Sequence, residues 1–458
     1  MYEDTTIAAI ATAPGAGGIG IIRISGSDAL AVCKRIFHPQ YGNISKATPY
    51  RMMYGHVKDG ARTIDEGLFV YMKAPHSYTG EDVCEIQIHG SGEALRETLS
   101  LCFENGAVPA APGAFTERAF YNGRIDLAQA EAISDIISAR GKAALCQAES
   151  HLAGALSAYV GNVRTALKDL ITKLEVTIDY PEEDIEDLTL SEITTGISEI
   201  EGPMATLLAR AKTGRLIKEG LRTAIIGRPN AGKSSLLNAL LREDRAIVTD
   251  IPGTTRDTIE ETISVGGAPL ILMDTAGLRQ TENEIEQIGI DRAKKSMETA
   301  DLILAVFDAS RPLTEEDREI LASLTGKTAV ILLNKCDLEI HISPEIIRET
   351  APNHPILSLS AKTGTGLEIL EETLSALIGT KDMETGRTLL LTNMRHEDLV
   401  RRALAAIRRA KNAAENQMPA DCIAVDLTEA FTALGDITGE NADDELIHSV
   451  FAQFCVGK

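Results

Sequence analysis

A short apolar run, Ala224 to Ile226, empties into Gly227-Arg228-Pro229-Asn230-Ala231-Gly232-Lys233-Ser234, and this stretch constrains the chain more than any other. The spacing G-x-x-x-x-G-K-S has a mechanical reason. Gly227 and Gly232 let the backbone wrap until successive N–H groups point at phosphate oxygens; Lys233 neutralises the β/γ charge, and Ser234 offers a hydroxyl to Mg²⁺. Ser235 to Leu241 continues at helical spacing, so the positive end of a helix faces the same anion. The alternative, a plain glycine turn between strand and helix, does not require the lysine and serine.

Further motifs follow in order. Pro252-Gly253-Thr254-Thr255-Arg256-Asp257 places two threonines where one can reach Mg²⁺ beside a γ-phosphate. The apolar strand Leu270 to Met273 ends in Asp274-Thr275-Ala276-Gly277, an aspartate for the metal shell and a glycine N–H for the γ-phosphate. Both loops depend on that phosphate, which makes a switch. Strand Ala329 to Leu333 leads into Asn334-Lys335-Cys336-Asp337, and Ile356 to Leu359 into Ser360-Ala361-Lys362. The Asp337 carboxylate can accept guanine N1–H and N2–H but would meet a lone pair on adenine. We expect it to be buried, and GTP to be preferred over ATP. Together these motifs resemble the P-loop GTPases of the translation-factor-related class over residues 221 to 380. One departure is Leu278, where signalling GTPases often carry a water-orienting glutamine. Glu282, Glu284 and Glu286 are the acidic residues nearby, each also readable as a solvated loop charge.

At 458 residues the chain exceeds one core and suggests about three domains at ~100–200 residues each. A net charge of −22 repels a phosphate backbone, so nucleic-acid contact must use a local basic patch or a partner chain. No apolar run reaches the ~20 residues that span a bilayer, and acidic residues stand where a signal peptide needs basic ones. Seven cysteines, without C-x-x-C or zinc spacing, suit a reducing compartment and mostly buried thiols. The expectation is a cytoplasmic protein with no membrane segment.

Residues 1–118 read as a mixed α/β unit, with strands at Thr6–Thr12, Ile19–Ile24, Gly67–Met72 and Val83–His89. Helices follow at Ser27–Phe37, capped by Ser27, and at Gly92–Phe103. Gly15 to Gly20 matches a dinucleotide fingerprint by letter, but Ile21 to Ile24 continues as strand rather than opening a helix. A glycine-rich hairpin or loop is the better reading. Residues 119–218 are helical: Asp126 and Gln129 form a capping box, one stripe runs from Leu145 to Ile178 until Tyr180-Pro181 and the acidic turn Glu182 to Asp187, and another from Ile193 to Leu208. Residues 381–458 are helical again. The two segments are expected to build one bundle into which the GTPase domain, residues 219–380, is inserted. Arg401, Arg402, Arg408, Arg409 and Lys411 share one helix face, either as a solvated ridge or as a surface for RNA.

Arg23-Ile24-Ser25-Gly26, Thr79-Gly80-Glu81-Asp82, Asp126-Leu127-Ala128-Gln129-Ala130-Glu131-Ala132 and the ending Phe454-Cys455-Val456-Gly457-Lys458, with the GTPase set, resemble the MnmE (TrmE) family of tRNA-modification GTPases over essentially the whole chain. That resemblance implies a multidomain fold: an N-terminal α/β tetrahydrofolate-binding and dimerisation domain, a discontinuous helical domain, and an inserted P-loop GTPase domain. It implies a homodimer whose GTPase domains are activated by pairing in K⁺. With the flavoprotein MnmG (GidA), in a heterotetramer, it would add an aminomethyl or carboxymethylaminomethyl group to C5 of the wobble uridine of certain tRNAs. The one-carbon donor would be a 5,10-methylene- or 5-formyl-tetrahydrofolate.

Carried onto this sequence, the resemblance assigns K⁺ to Asn230, Thr249, Ile251 and Thr254, and Mg²⁺ to Ser234 and Thr255. Catalysis falls to Glu286, Lys233 and Asp274, with Glu286 orienting water in place of the missing glutamine. GTP contacts comprise Asn230, Ala231, Gly232, Lys233, Ser234, Ser235, Thr249, Asp250, Ile251, Pro252, Gly253, Thr254, Thr255, Asp274, Thr275, Ala276, Gly277, Asn334, Lys335, Asp337, Ser360, Ala361 and Lys362. Folate falls to Arg23, Glu81, Arg124 and Lys458, although the family often has lysine at position 124 and arginine changes the geometry. Cys455 admits a chemical role near the folate or simple packing at a helix end. The alternative function is a GTPase switch in ribosome or RNA-complex assembly, which would need no folate pocket.

Overall fold

The computed structural model describes residues 5–179, 190–243, 261–265, 268–273, 297–379 and 388–458. The chain divides into two compact units, the first made of residues 1–134, 152–164 and 432–458, the second of residues 135–151 and 165–431.

In the first unit, strands β1 (Ile7–Ile10), β2 (Gly17–Ser25), β3 (Phe37–Pro39), β4 (Met53–Asp59), β5 (Arg62–Met72), β6 (Val83–Gly90) and β7 (Val108–Pro109) form one sheet in the order β3-β4-β5-β6-β2-β1-β7. β1 and β2 pair antiparallel, with Gly15 in the connection and Gly17, Gly18 and Gly20 in β2 itself, so this stretch is a hairpin and not a dinucleotide fold. Helices α1 (Ala29–Ile36) and α2 (Gly92–Glu104) bury Val32, Ile36, Leu95 and Leu101 against Ile22, Ile24, Phe69 and Ile86 of the sheet. The cap of α1 differs from expectation: Asp28, not Ser27, is the N-cap, without a side-chain bond to the helix. Of the seven cysteines, Cys33, Cys84 and Cys102 lie in this core, while Cys422 and Cys455 are exposed. Burial pushes the Cys102 thiol up to about 12.

α3 (Ala114–Tyr121) and α4 (Leu127–Ser138) follow. The Asp126–Gln129 capping box forms, with Gln129 N–H donating to Asp126 Oδ1 at 2.8 Å and Asp126 N–H to Gln129 Oε1 at 3.0 Å. The stripe read as one helix is two, α5 (Lys142–Leu152) and α6 (Ala155–Asp179). Gly154, at φ +89, turns the chain between them. Because of that break α5 buries Ala143, Ala144, Ala148 and His151, while Leu145 is exposed. Next come α7 (Leu190–Ala209) and α8 (Ala211–Glu219). The acidic turn lies outside the described residues.

The second unit holds the other sheet: β8 (Leu221–Ile226), β9 (Glu261–Val265), β10 (Ala268–Leu272), β11 (Leu302–Asp308), β12 (Ala329–Asn334) and β13 (Ile356–Ser358), in the order β13-β12-β11-β8-β10-β9. Among the described residues only β9 runs antiparallel. Parallel strands covered on both faces need apolar residues at every position. Accordingly Leu304 and Val306 face α9 (Lys233–Glu243) and α12 (Leu367–Ile378) in one core. Ile303, Ala305 and Phe307 face α10 (Glu315–Ser323) and α11 (Pro344–Thr350) in another. From β8 the chain winds first towards β10 and then back to β11, so the phosphate loop sits at the topological switch point, beyond the carboxyl ends of the strands.

The chain then returns to helices α13 (Met394–Glu415), α14 (Ala420–Thr438) and α15 (Asp444–Phe451). α13 lies on α7, where Glu201 accepts from Arg408 at 3.0 Å and Lys411 at 2.9 Å. A Cβ on Gly214 of α8 would meet the Leu391 carbonyl at 2.1 Å, so the helix entering the second sheet touches the segment leaving it. Within the second unit, helices that precede and follow the inserted α/β stretch in sequence therefore pack together.

Candidate functional site

β8 delivers Gly227 at φ +148 and Gly232 at φ +97. A Cβ on Gly227 would fall 2.2 Å from Val306 O, and one on Gly232 would fall 2.1 Å from Asn334 Nδ2. Glycine is required at both positions by space as well as by φ. Asn230 takes φ +63, a left-handed conformation that asparagine tolerates, and is exposed. Lys233 Nζ donates to Gly227 O at 2.7 Å and Arg228 O at 2.8 Å, and desolvation holds its pKa below the usual lysine value. The loop thus keeps the ammonium folded across its own mouth. Ser234 and Ser235 are exposed at the first turn of α9.

Asn334, 2% exposed, ties three loops together. Its Nδ2 donates to Ala231 O at 2.9 Å, and its Oδ1 accepts from Ala361 N–H at 3.0 Å. Asp337 is exposed and not buried, which corrects the expectation drawn from sequence. A hydrogen bond with buried Ser360 holds its carboxyl below the usual range, and the nearby charges of Lys362 and Lys335 add to this. The carboxylate therefore stands ionised at the rim, open to a base.

The sequence reading missed Asp308, at the end of β11. Its Oδ2 meets Lys335 Nζ at 2.6 Å, and its Oδ1 accepts from Ser310 N–H at 3.0 Å and Ser310 Oγ at 2.6 Å. Burial pushes this carboxyl up, but the bonds from Lys335 and Ser310 outweigh it and leave its pKa below the ordinary value. An aspartate closing an apolar strand two residues before a serine is an Asx-turn signal that could have drawn attention to it. Thr249, Asp250, Ile251, Pro252, Gly253, Thr254, Thr255, Asp274, Thr275, Ala276, Gly277 and Glu286 lie outside the described residues, as do Leu278, Glu282 and Glu284.

In the first unit, Arg23 pairs through Nε with Glu85 at 2.9 Å and donates from Nη1 to Gly457 O at 3.2 Å. Its guanidinium lies 5.3 Å from the centre of the Tyr78 ring and 5.7 Å from that of Phe115. Arg124 lies 5.4 Å from the Tyr78 ring. Lys458 O accepts from Phe115 N–H at 3.1 Å, and Cys455 is exposed. Arg23, Arg124 and the tail therefore gather around Tyr78 and Phe115. Beside them a cavity of about 580 Å³ is lined by Tyr50, Met72, Pro75, His76, Ser77, Tyr78 and Arg124. Glu81 is engaged elsewhere: Oε2 accepts from Ser25 Oγ at 2.7 Å and from Arg118 Nη1 at 2.8 Å. Arg118, 5% exposed, also donates to Thr5 O at 2.7 Å and Ser25 O at 3.2 Å. It too escaped the sequence reading, because its partners lie 37 to 113 residues away.

The basic ridge is mostly neutralised. Arg401 meets Glu397 and Asp398, Arg408 and Lys411 share Glu201, and Arg409 bridges Asp426 at 2.8 Å and Glu429 at 2.6 Å. Paired cations offer a phosphate backbone little net field.

A model of the MnmE helical domain matches residues 127–455, and a model of the GTP-binding protein TrmE N-terminus matches residues 6–124. A protein of Alkaliphilus oremlandii described as tRNA modification GTPase MnmE is 45% identical over 461 residues, covering 100% of both chains. The chain belongs to the MnmE family. Proteins of the same description from Clostridioides difficile and Listeria welshimeri are each 44% identical, again over 100% of both chains. In this chain the glycine-lined loop, Asn334 and Asp337 lie within the residues that the helical-domain model spans. No described helix is long and apolar enough to cross a membrane.

Proposed function

We propose that this protein binds and hydrolyses GTP as part of a tRNA-modifying system. The observation that carries the proposal is the base end of the site. An ionised, exposed Asp337 is bonded to Ser360, and Asn334, three residues before it, bonds to the phosphate loop at Ala231 and to the second base-reading loop at Ala361. A carboxylate so placed pairs with guanine N1–H and N2–H and is left desolvated and unpaired against adenine. Membership of a family whose relatives are described as tRNA modification GTPases supports the wider role.

In the proposed reaction, Lys233 exchanges its two loop carbonyls for the β- and γ-phosphate oxygens. The backbone N–H groups from Ala231 to Ser235 cradle the β-phosphate. Ser234 and Thr255 would hold Mg²⁺, with Asp274 in its outer shell. Asn230, Thr249, Ile251 and Thr254 would hold K⁺. Hard oxygen and carboxamide donors suit both ions, and the left-handed backbone at Asn230 sets its carboxamide on the exposed side of the loop. Held there, the cations would supply positive charge where the transition state accumulates negative charge. Glu286 orients the attacking water and Gly277 reports the γ-phosphate.

The cavity beside Tyr78 and Arg124 is proposed to take a reduced folate, its flat pterin suited to the aromatic wall and its anionic tail to Arg23, Arg124 and Lys458. Glu81 would act from its seat on Arg118. The protein would work in the cytoplasm as a homodimer with the flavoprotein MnmG, delivering a one-carbon unit to C5 of the wobble uridine. Turnover measured in K⁺ and in Na⁺ tests the core: we expect at least tenfold faster hydrolysis in K⁺, and equal rates would remove the K⁺ site. Calorimetry with 5-formyl-tetrahydrofolate tests the cavity, and absence of binding at millimolar ligand would favour an assembly switch instead.

A further inference from the structure

We infer that Asp308 is a positioning residue for guanine recognition, holding the Lys335 ammonium away from the Asp337 carboxylate. The inference rests on the guanine-nucleotide reading of this site. Lys335 and Asp337 stand two residues apart in one loop, and Lys335 takes φ +66, a conformation that side chains of L-residues disfavour. Left to itself, an ammonium so close to a carboxylate would pair with it. The charge of Lys335 does reach Asp337, as one of the influences that hold its carboxyl low. Yet the ion pair that forms is with Asp308, at 2.6 Å.

Three features fit Asp308 for this work. It ends β11 directly opposite Asn334 in the parallel register, so its carboxylate lies beside the first residue of the base-reading loop. Ser310 holds Oδ1 from both its N–H and its hydroxyl, and Oδ2 takes Lys335 Nζ at 2.6 Å, with Arg311 Nε farther off at 3.9 Å. Its side chain is only 15% exposed, against 29% for Lys335, so the pair is shielded from competing water and salt. The strand is anchored as well: Ala309 N–H donates to Asn334 O at 2.9 Å, locking the two loop bases together. Lys335 is thereby drawn towards β11, and the Asp337 carboxylate, bonded to Ser360, is left without a lysine across the face it offers to a base.

Removing the Asp308 charge frees the ammonium to take one oxygen of Asp337. Guanine then loses the second of its two bonds to that carboxylate. Inosine, which has N1–H but no N2 amine, loses less. Titration of the full-length protein with GDP and IDP reads this directly, in the wild type, Asp308→Asn, Lys335→Gln and the double variant. We expect Asp308→Asn to weaken GDP about tenfold or more, the order of one lost charge-assisted bond, and to shrink the preference for GDP over IDP. In the Lys335→Gln background the same substitution should have no further effect. Asp308→Glu should recover most of the affinity by restoring the pair, which also covers the case in which Asp308→Asn fails to fold.

A GDP affinity within twofold of wild type for Asp308→Asn would overturn the inference. So would a loss of equal size for both nucleotides that persists without Lys335, since that would mark a merely structural residue. Wild-type protein that bound no guanine nucleotide would instead remove the reading on which the inference stands.

Discussion

The Asn334 carboxamide spends its donor on the phosphate loop and its acceptor on the Ser360-Ala361-Lys362 loop, so a movement in either reaches the other through one side chain. The letters of these motifs are local, and they were legible because a phosphate loop must carry its glycines and lysine at fixed spacing. Residues whose meaning depends on a distant partner were not. Asp308 needs Lys335, 27 residues on, and Arg118 needs Glu81, Ser25 and Thr5. Arg118 gives a prediction at this scale. Its guanidinium and the Glu81 carboxylate are 6% and 16% exposed, so Arg118→Ala strands a largely desolvated charge and two carbonyls. Breaking such a pair costs about 3 kcal/mol. The midpoint of urea unfolding followed by circular dichroism should fall accordingly, and Arg118→Lys, which keeps charge but not the fork, should fall less.

Whole elements were read with mixed success for a physical reason. The capping box and the buried parallel strands obey local rules, whereas the Leu145–Ile178 stripe keeps helical period straight across the turn at Gly154. Periodicity does not register a break that leaves the spacing of leucines intact. The true inner face of α5 is made of alanines, Gln147 and His151, which a hydrophobic stripe does not reveal. That face ties α5 to the segment leaving the inserted domain: Gln147 Nε2 donates to Thr388 O and His151 Nε2 to Leu390 O, each at 2.9 Å. Desolvation, helped by His396, lowers the His151 pKa from 6.5 to about 4. Its neutral ring can still donate Nε2–H to the carbonyl. Between pH 6.5 and 4 the unfolded chain binds a proton that the folded chain refuses. Stability from this site is therefore full above pH 6.5, declines as pH falls, and is lost by about pH 4, roughly 3 kcal/mol in all. Denaturation curves across that window should show the slope, and His151→Gln should flatten it.

For the molecule as a whole, domain order was legible because texture changes from alternating to helical and back, but the pairing of α7 with α13 rests on Glu201 meeting residues some 207 positions away. The same pairing gives Arg408 and Lys411 of the basic ridge a shared carboxylate on α7, while Arg401 and Arg409 find theirs on α13 and α14, a charge balance that a count of arginines does not reveal. Since Ile217 and Leu390 pack in one small core and Gly214 touches Leu391, the two ends of the insertion are neighbours. Replacing residues 222–386 by a short Gly/Ser linker should leave a protein that still melts cooperatively by circular dichroism with its helices intact. A broad, non-cooperative melt would show that the inserted domain holds the bundle together.

The α7–α13 pairing also sets an order of events during synthesis. About 185 residues separate Ala209 from Met394, and ribosomes add roughly 5–20 residues per second. For some ten to forty seconds α7 is out of the ribosome while α13, which packs on it, does not yet exist. The α/β domain in between, whose contacts lie within its own stretch, is free to fold during that wait. The core of the N-terminal sheet is drawn from residues 8–107, but the bonds of Arg23 to Gly457 and of Phe115 to Lys458 form only when translation has reached the tail. Nascent chains stalled before residue 394 should therefore engage chaperones through α7, even though the nucleotide domain they carry is already complete.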